Sequence, residues 1–334
     1  MSSMDNQSGL SVRPRRLRLN STLRGMLQSV TLERRHVIVP VFVCEGEQVR
    51  KPVESMPGVD QMSVDLACEF LAELAGKGFG AYIAFGVIAR EKKDAVGSPA
   101  LDENNVVCRL IRATKRQQIP MVAMTDLCFC EYTSHGHCGA MSADNKTVVN
   151  DATVERLVWQ AISHAKAGAD VVAPSGMMDG TVGALRRGLD EAGFVDVAIM
   201  AYSVKYAGAF YGPFRDAADS APAFGDRRSY QMDPVRDVRE ALLEVKLDVE
   251  QGADMVIVKP AGPCLDIIAA VRREVNVPVV AYQVSGEYSM IEAAARNGWI
   301  DGERMMLESL LAIRRAGADL IISYFAPKLA IALR

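Results

Sequence analysis

Residues 153–174 read TVERLVWQAISHAKAGADVVAP, and the change of period inside this stretch decides the fold. Up to Ala167 the apolar residues recur at helical spacing, whereas Asp170–Pro174 is a short branched run, apolar through both side-chain parities, as a strand covered on both faces requires. Ala167-Gly168-Ala169-Asp170 joins the two. The same punctuation returns at Gly252-Ala253-Asp254 and Ala316-Gly317-Ala318-Asp319, where a glycine takes the left-handed C-cap and releases the chain into the next strand.

Working outward, the spacing predicts strands at 37–43, 82–87, 120–125, 170–174, 197–202, 255–258, 278–283 and 320–324. Helical patterns at 64–75, 153–167, 182–192, 234–251, 265–275 and 302–316 separate them. Strands alternating with helices in this number predict an α/β (β/α)8 TIM barrel. The rival, an open doubly wound sheet, lacks its Gly-x-Gly-x-x-Gly after a strand. The expected division is an extended N-terminal arm for oligomerisation over 1–30 and a catalytic barrel over 31–334. The basic cluster Arg13–Arg18 lies in that arm.

The chain has 334 residues, 49% of them hydrophobic, which is enough for a large core. A net charge of -3 disfavours nucleic acid as a partner. No apolar run reaches the roughly 18 residues of a membrane span, and no apolar stretch follows the early arginines as in a signal peptide. Seven cysteines, an odd number, suit a reducing compartment, so a cytoplasmic enzyme is expected.

Barrel chemistry collects where strands emerge into loops at their C-terminal ends. Lys205 follows the fifth strand in AYSVKY, and Lys259 ends the sixth in VIVKP. An amine partly desolvated and near another cation is left partly neutral and attacks ketones. The alternatives are that each lysine snorkels at the rim or pairs with Asp126 or Asp179. The third strand exits into Thr125–Gly139, TDLCFCEYTSHGHCG, where Cys128, Cys130 and Cys138 suit a thiolate-rich zinc site. Three thiolates leave a coordination position open, and a fourth ligand from His135 or His137 stays an alternative. Cys44, Cys68, Cys108 and Cys264 read as packing residues.

The long segment 208–233 has the glycine content of a lid. Its arginines can clamp a carboxylate, with Gln231 adding an amide hydrogen bond, or simply be solvated. Polar residues at Pro174–Gly180, Tyr282–Tyr288 and Tyr324 end further strands, and their hydroxyls either bind a second carboxylate or satisfy turns.

From about Arg15 to Leu333 the chain resembles the porphobilinogen synthase (5-aminolevulinate dehydratase) family. The resemblance is carried by DLCFCEYTSHGHCG, APSGMMDG, YSVKYAGAFYGPFRDA, VKPAG, YQVSGEY and RAGADLIISYFA, in that order. It implies a lyase that condenses two 5-aminolevulinate molecules to porphobilinogen with loss of two waters, assembled as a homo-octamer. By motif, Lys259 holds the first substrate (P site) and Lys205 the second (A site) as Schiff bases. Ser285 and Tyr324 take the P-site carboxylate, while Arg215, Arg227 and Gln231 take that of the A site. Asp126, Ser175 and Asp179 line the amino-group and proton-transfer region. The three cysteines place the chain in the zinc-dependent class, and Glu244 in ALLEVKLD matches a glutamate used by relatives for a regulatory magnesium. The resemblance implies no organic cofactor. A Schiff-base aldolase, which needs neither three thiolates nor two imine lysines, is the competing enzyme; a barrel kept as a metal sensor or scaffold is the non-enzyme reading.

Overall fold

The computed structural model of the chain describes residues 11–144 and 146–333, so the first ten positions of the expected arm and the last of the barrel lie outside the described residues. The chain divides at Thr31/Leu32 into two compact units. The described part of the first holds a 3₁₀ turn at Pro14–Leu17 and helix α1 (Ser21–Met26), whose Asn20 cap accepts the Leu23 N–H at 3.1 Å. None of its described residues is buried: Val12, Leu17, Leu19, Met26 and Leu27 are all exposed.

The second unit contains strands β1 (Val37–Cys44), β2 (Arg50–Pro52), β3 (Asp60–Ser63), β4 (Ala81–Val87), β5 (Val122–Leu127), β6 (Val171–Pro174), β7 (Ala198–Lys205), β8 (Met255–Lys259), β9 (Val279–Tyr282) and β10 (Leu320–Ile322). Helices α2 (Val64–Gly76), α3 (Val106–Arg116), α4 (Asn150–Ala167), α5 (Thr181–Glu191), α6 (Gly212–Ala217), α7 (Val238–Glu250), α8 (Leu265–Glu274), α9 (Ser285–Arg296), α10 (Gly302–Ala316) and α11 (Ala326–Ala332) complete it. Strands β1 and β4–β10 run parallel in sequence order, and β1 pairs with β10 to close the barrel, Val37 opposite Ile321. All of β1, VIVPVFVC, is buried, because the interior covers one face and the helices the other. None of the described helices is long and apolar enough to cross a membrane.

The repeated Gly-Ala-Asp punctuation has a structural reason beyond its glycine. Gly168, Gly252 and Gly317 do sit at positive φ, +102°, +105° and +119°. Each following aspartate then makes a reciprocal pair with the preceding strand. Asp170 donates its N–H to Ala123 O (2.9 Å) and accepts Ala123 N–H on Oδ2 (2.7 Å). Asp254 does the same with Ile199 (2.9 and 2.8 Å), and Asp319 with Val279 (2.7 and 2.8 Å). The motif therefore staples β5 to β6, β7 to β8 and β9 to β10 at their entry ends. That sets the strand register at the entry ends of these three pairs.

Most element ends differ by a few residues from the sequence expectation, α3, α6, α9 and α11 lie outside its helical patterns, and three further differences stand out. β7 runs on to Lys205 through a register irregularity between Ala201 and Val204, so Lys205 ends the strand instead of following it. α7 starts at Val238, capped by Asp237, and Pro234 lies in the preceding turn. The β2–β3 hairpin was not expected, since Arg50–Pro52 is wholly exposed and carries no apolar pattern.

Replacing Asp170 by alanine strands the Ala123 N–H and is expected to cost about 1–2 kcal/mol. Denaturant unfolding measures it; a change below about 0.5 kcal/mol would show that the staple carries no stability.

Candidate active site

Lys205 and Lys259 are register partners at the exits of β7 and β8. Each is only 5% exposed, which removes the snorkelling alternative, and among the described ion pairs neither meets a carboxylate. Lys205 donates from Nζ to Ser175 O at 2.6 Å. Lys259 Nζ stands in an aromatic slot, 4.1 Å from the ring centre of Tyr282, 5.3 Å from Tyr202, and 5.2 Å from both Tyr211 and Phe214. Burial, followed by the charge of Lys205, lowers the Lys259 ammonium to about 7. Its neutral form is thus abundant near neutral pH.

The slot is built by inward-facing residues of successive strands. Phe42 packs on Phe85 and stacks on Tyr324 (centroids 5.7 and 6.1 Å), and Phe214 of α6 meets Phe85 edge-on at 5.2 Å. Sequence reading passed over Tyr202 and Tyr282 as members of this wall. Their signal was present, an aromatic near the end of a strand whose next turn carries chemistry, but side-chain parity alone does not tell interior from exterior when both faces are apolar.

On the β5–β6 side, Ser175 donates from Oγ to Asp126 Oδ2 (3.2 Å), and Oδ1 is buried without a partner. Burial, followed by the charge of Glu131, pushes the Asp126 carboxyl up to about 8. Asp179 is placed differently: it is exposed, its main chain is tied to Asn150, and its charge acts on Glu244. Glu131, quoted in the cysteine motif but given no role there, is buried at 2% exposure, with Oε2 3.3 Å from Cys130 Sγ.

Cys128, Cys130 and Cys138 form a buried trio of free thiols whose sulfurs all lie within 4.8 Å of one another. Hydrogen bonds from Cys128 and Cys130 hold the Cys138 thiol well below its usual range, and Arg227 and Lys205 add positive potential. Three soft donors at this separation fit a zinc ion with one open position. The histidines do not complete the set. His137 is engaged by Tyr230 OH (3.2 Å) and Phe224 O (3.0 Å), and His135 by Ala95 O (3.1 Å) and the His137 N–H (3.0 Å). His137 instead holds the lid segment.

That segment brings Arg215, Arg227 and Gln231 to the site. Arg227 is 8% exposed and spends Nη2 on Gly136 O and Ser220 O (2.9 and 2.8 Å), but its Nε, Arg215 Nε and Gln231 Nε2 are all buried without an acceptor. Burial, followed by Arg227, lowers the Arg215 guanidinium. Unmatched donors and two crowded cations are what an anionic ligand relieves. Ser285 is buried, accepting Phe214 N–H (2.9 Å) and donating to Phe210 O (3.2 Å); Tyr324 OH shares a hydrogen bond with Tyr282 OH (2.8 Å).

Glu244 lies on α7, half-buried, its carboxyl pushed up to about 7 by burial and by Asp248, Asp179 and Glu240. It shares a small cavity lining with Asp248 and Tyr202. Among the described residues it belongs to no close set of three ligating atoms.

The family model for delta-aminolevulinic acid dehydratase matches residues 11–332. The chain belongs to the delta-aminolevulinic acid dehydratase family. A dehydratase from Halalkalibacterium halodurans is 52% identical over 318 residues, covering 95% of both chains. One from Synechococcus elongatus is 52% identical over 316 residues, covering 94% of this chain and 96% of the relative. The crystal structure of the Toxoplasma gondii dehydratase in complex with the reaction product porphobilinogen superposes with a TM-score of 0.94 at 40% identity, covering 97% of this chain and 92% of that one. The thiolate trio makes this family member one of the zinc type.

With a small keto acid and borohydride, trapping at Lys259 is expected to rise with pH through about 7, as the ammonium loses its proton, and to level off above it. Peptide mass mapping reads the adduct; an onset delayed to about pH 9 or beyond would mean an ordinary, solvated lysine.

Proposed function

We propose that this chain joins two molecules of 5-aminolevulinate into porphobilinogen with loss of two waters, through imines at Lys259 and Lys205. The observation that carries this reading is the pairing of two buried amines side by side on adjacent strand ends. An aldolase needs one such amine, whereas using the same keto acid twice calls for two.

Lys259, lowered to about 7 in its aromatic slot, supplies the neutral amine that attacks the ketone of the P-site substrate. Ser285 and Tyr324 orient that substrate's carboxylate, a role supported by their position at the exits of β9 and β10 next to the slot. The second molecule presents its carboxylate to Arg215, Arg227 and Gln231, whose unmatched donors support the assignment. Asp126 and Ser175 receive an amino group and exchange its proton. Asp179, exposed on the loop beyond β6, is the third residue proposed for that region. Phe214 and the rest of the lid exclude water from imines that hydrolyse readily. Cys128, Cys130 and Cys138 would hold zinc, and that ion would supply Lewis acidity at the A site.

A regulatory magnesium at Glu244 is the finer metal proposal; an ion that keeps most of its waters suits a half-buried carboxylate lacking close co-ligands. Assembly to a homo-octamer is supported by the exposed apolar side chains of the arm, which need another surface to cover them. Seven free cysteines favour a cytoplasmic, reducing setting.

Zinc-loaded protein is expected to form porphobilinogen from 5-aminolevulinate, to lose that activity to a strong chelator with its circular dichroism retained, and to regain it with zinc but not with magnesium alone. Lys259→Ala is expected to lower turnover by about a thousandfold or more. Full activity in zinc-free protein, or in that variant, would overturn the reading. Removing residues 1–24 is expected to leave a folded barrel whose mass by light scattering falls toward hexamer or dimer; an unchanged octamer would refute the role of the arm.

A further inference from the structure

Glu287 uses both carboxylate oxygens on the main chain of two different strand exits. Oε1 accepts the N–H of Gly262 (2.7 Å), three residues beyond Lys259, and Oε2 accepts the N–H of Val284 (2.8 Å), immediately before Ser285. The Ala261 N–H donates to Tyr282 O (2.9 Å) across the same gap. Tyr282 is the residue whose ring lies 4.1 Å from Lys259 Nζ. The contact with Val284 is an ordinary helix-start interaction within α9. The reach to Gly262 is not, because it belongs to the turn that leaves β8.

Two further observations mark this reach as built. Glu287 is 7% exposed and faces main-chain N–H groups; burial pushes its carboxyl up to about 7, although the N–H groups of Val284, Gly262 and Ala261 pull the other way. Retaining an acid so buried costs stability unless it fastens something. Gly262 does not lie in the left-handed region, yet a Cβ there would come 2.6 Å from Glu287 Oε1. A methyl group at 262 would therefore displace the carboxylate, while the backbone angle itself would accept it.

We propose that Glu287 is a positioning residue for Lys259: by clamping the exits of β8 and β9 together it fixes the amine against the Tyr282 ring. The proposal rests on the imine reading of Lys259. Without the clamp the turn 260–262 keeps only the Ala261 N–H to Tyr282 O bond across the gap, and the amine, on the last residue of its strand, is less tightly fixed.

The contact can be broken from either side. Glu287→Gln keeps the shape but turns one acceptor into an NH2 group facing an N–H, and Gly262→Ala pushes the carboxylate off from the other side. The zinc-loaded full chain and its variants would be treated with 5-aminolevulinate and borohydride, and adducts at both lysines quantified by peptide mass mapping beside thermal unfolding and steady-state kinetics. Both variants are expected to lower the Lys259 adduct and kcat about tenfold, with the Lys205 adduct and zinc content within about twofold of the parent. The double variant should be no worse than the worse single one, since both remove one contact.

A Lys259 adduct within about twofold of the parent in either folded variant would overturn the proposal. So would a parallel loss at both lysines that tracks a fall in Tm, which is the signature of a merely structural acid. If the parent chain forms no adduct at either lysine, it is the imine reading that fails and takes this inference with it, a result visible before any substitution is made.

Discussion

Everything chemical in this molecule depends on keeping the Lys259 amine dry. An ammonium in water has no reason to lose its proton near pH 7; inside a wall of Tyr202, Tyr211, Phe214 and Tyr282, beside a second lysine, it does. The barrel pays for this by holding in its interior a charge-capable group with no direct ion pair, on which Asp126 acts only from beyond contact distance. The aromatic rings offset part of that cost when the group is protonated, since their faces attract a cation without neutralising it as a carboxylate would. A carboxylate paired to Lys259 would have stabilised the fold and removed the nucleophile.

The same constraint organises the surroundings. The negative potential the site needs for zinc is placed on thiols at the exit of β5, where Cys138 favours its thiolate and Arg227 faces it. The positive donors left unmatched, on Arg215, Arg227 and Gln231, belong to the lid. His137, Ser285 and Gly136 fasten that segment to the barrel by hydrogen bonds, so its unmatched donors are held at the strand exits. At the other end of the barrel the Asp254 staple fixes the entry register of β7 on β8, and the irregularity between Ala201 and Val204 then shifts that register by one residue, so that Lys205 meets Lys259.

Much of this was legible in one dimension because it follows from local chemistry. The eight barrel strands could be read from runs of branched residues between helical periods, and the cysteine trio and both lysines from their places just beyond or at the ends of those runs. What resisted was whatever depends on a choice between partners distant in sequence. His135 and His137 had the right chemistry for zinc, and only their bonds to Ala95, Phe224 and Tyr230 take them out of the ligand set. Asp179 had the right motif, and only the fold turns it outward toward Glu244. The short hairpin of Arg50–Pro52, wholly exposed, and Asp60–Ser63, buried only at Met62 and Ser63, had no apolar rhythm to reveal it.

The sequence by itself determined the alternation of strand and helix, the closing punctuation of Gly-Ala-Asp, and the inventory of amines, thiols and guanidinium groups, because each is set by a residue and its near neighbours. Tertiary structure alone decided which amine is desolvated, which sulfurs meet, which donors stay unmatched, and that Glu287 reaches Gly262. Burial and electric field are sums over neighbours from many strands, and a linear pattern names those neighbours without saying how far away they are.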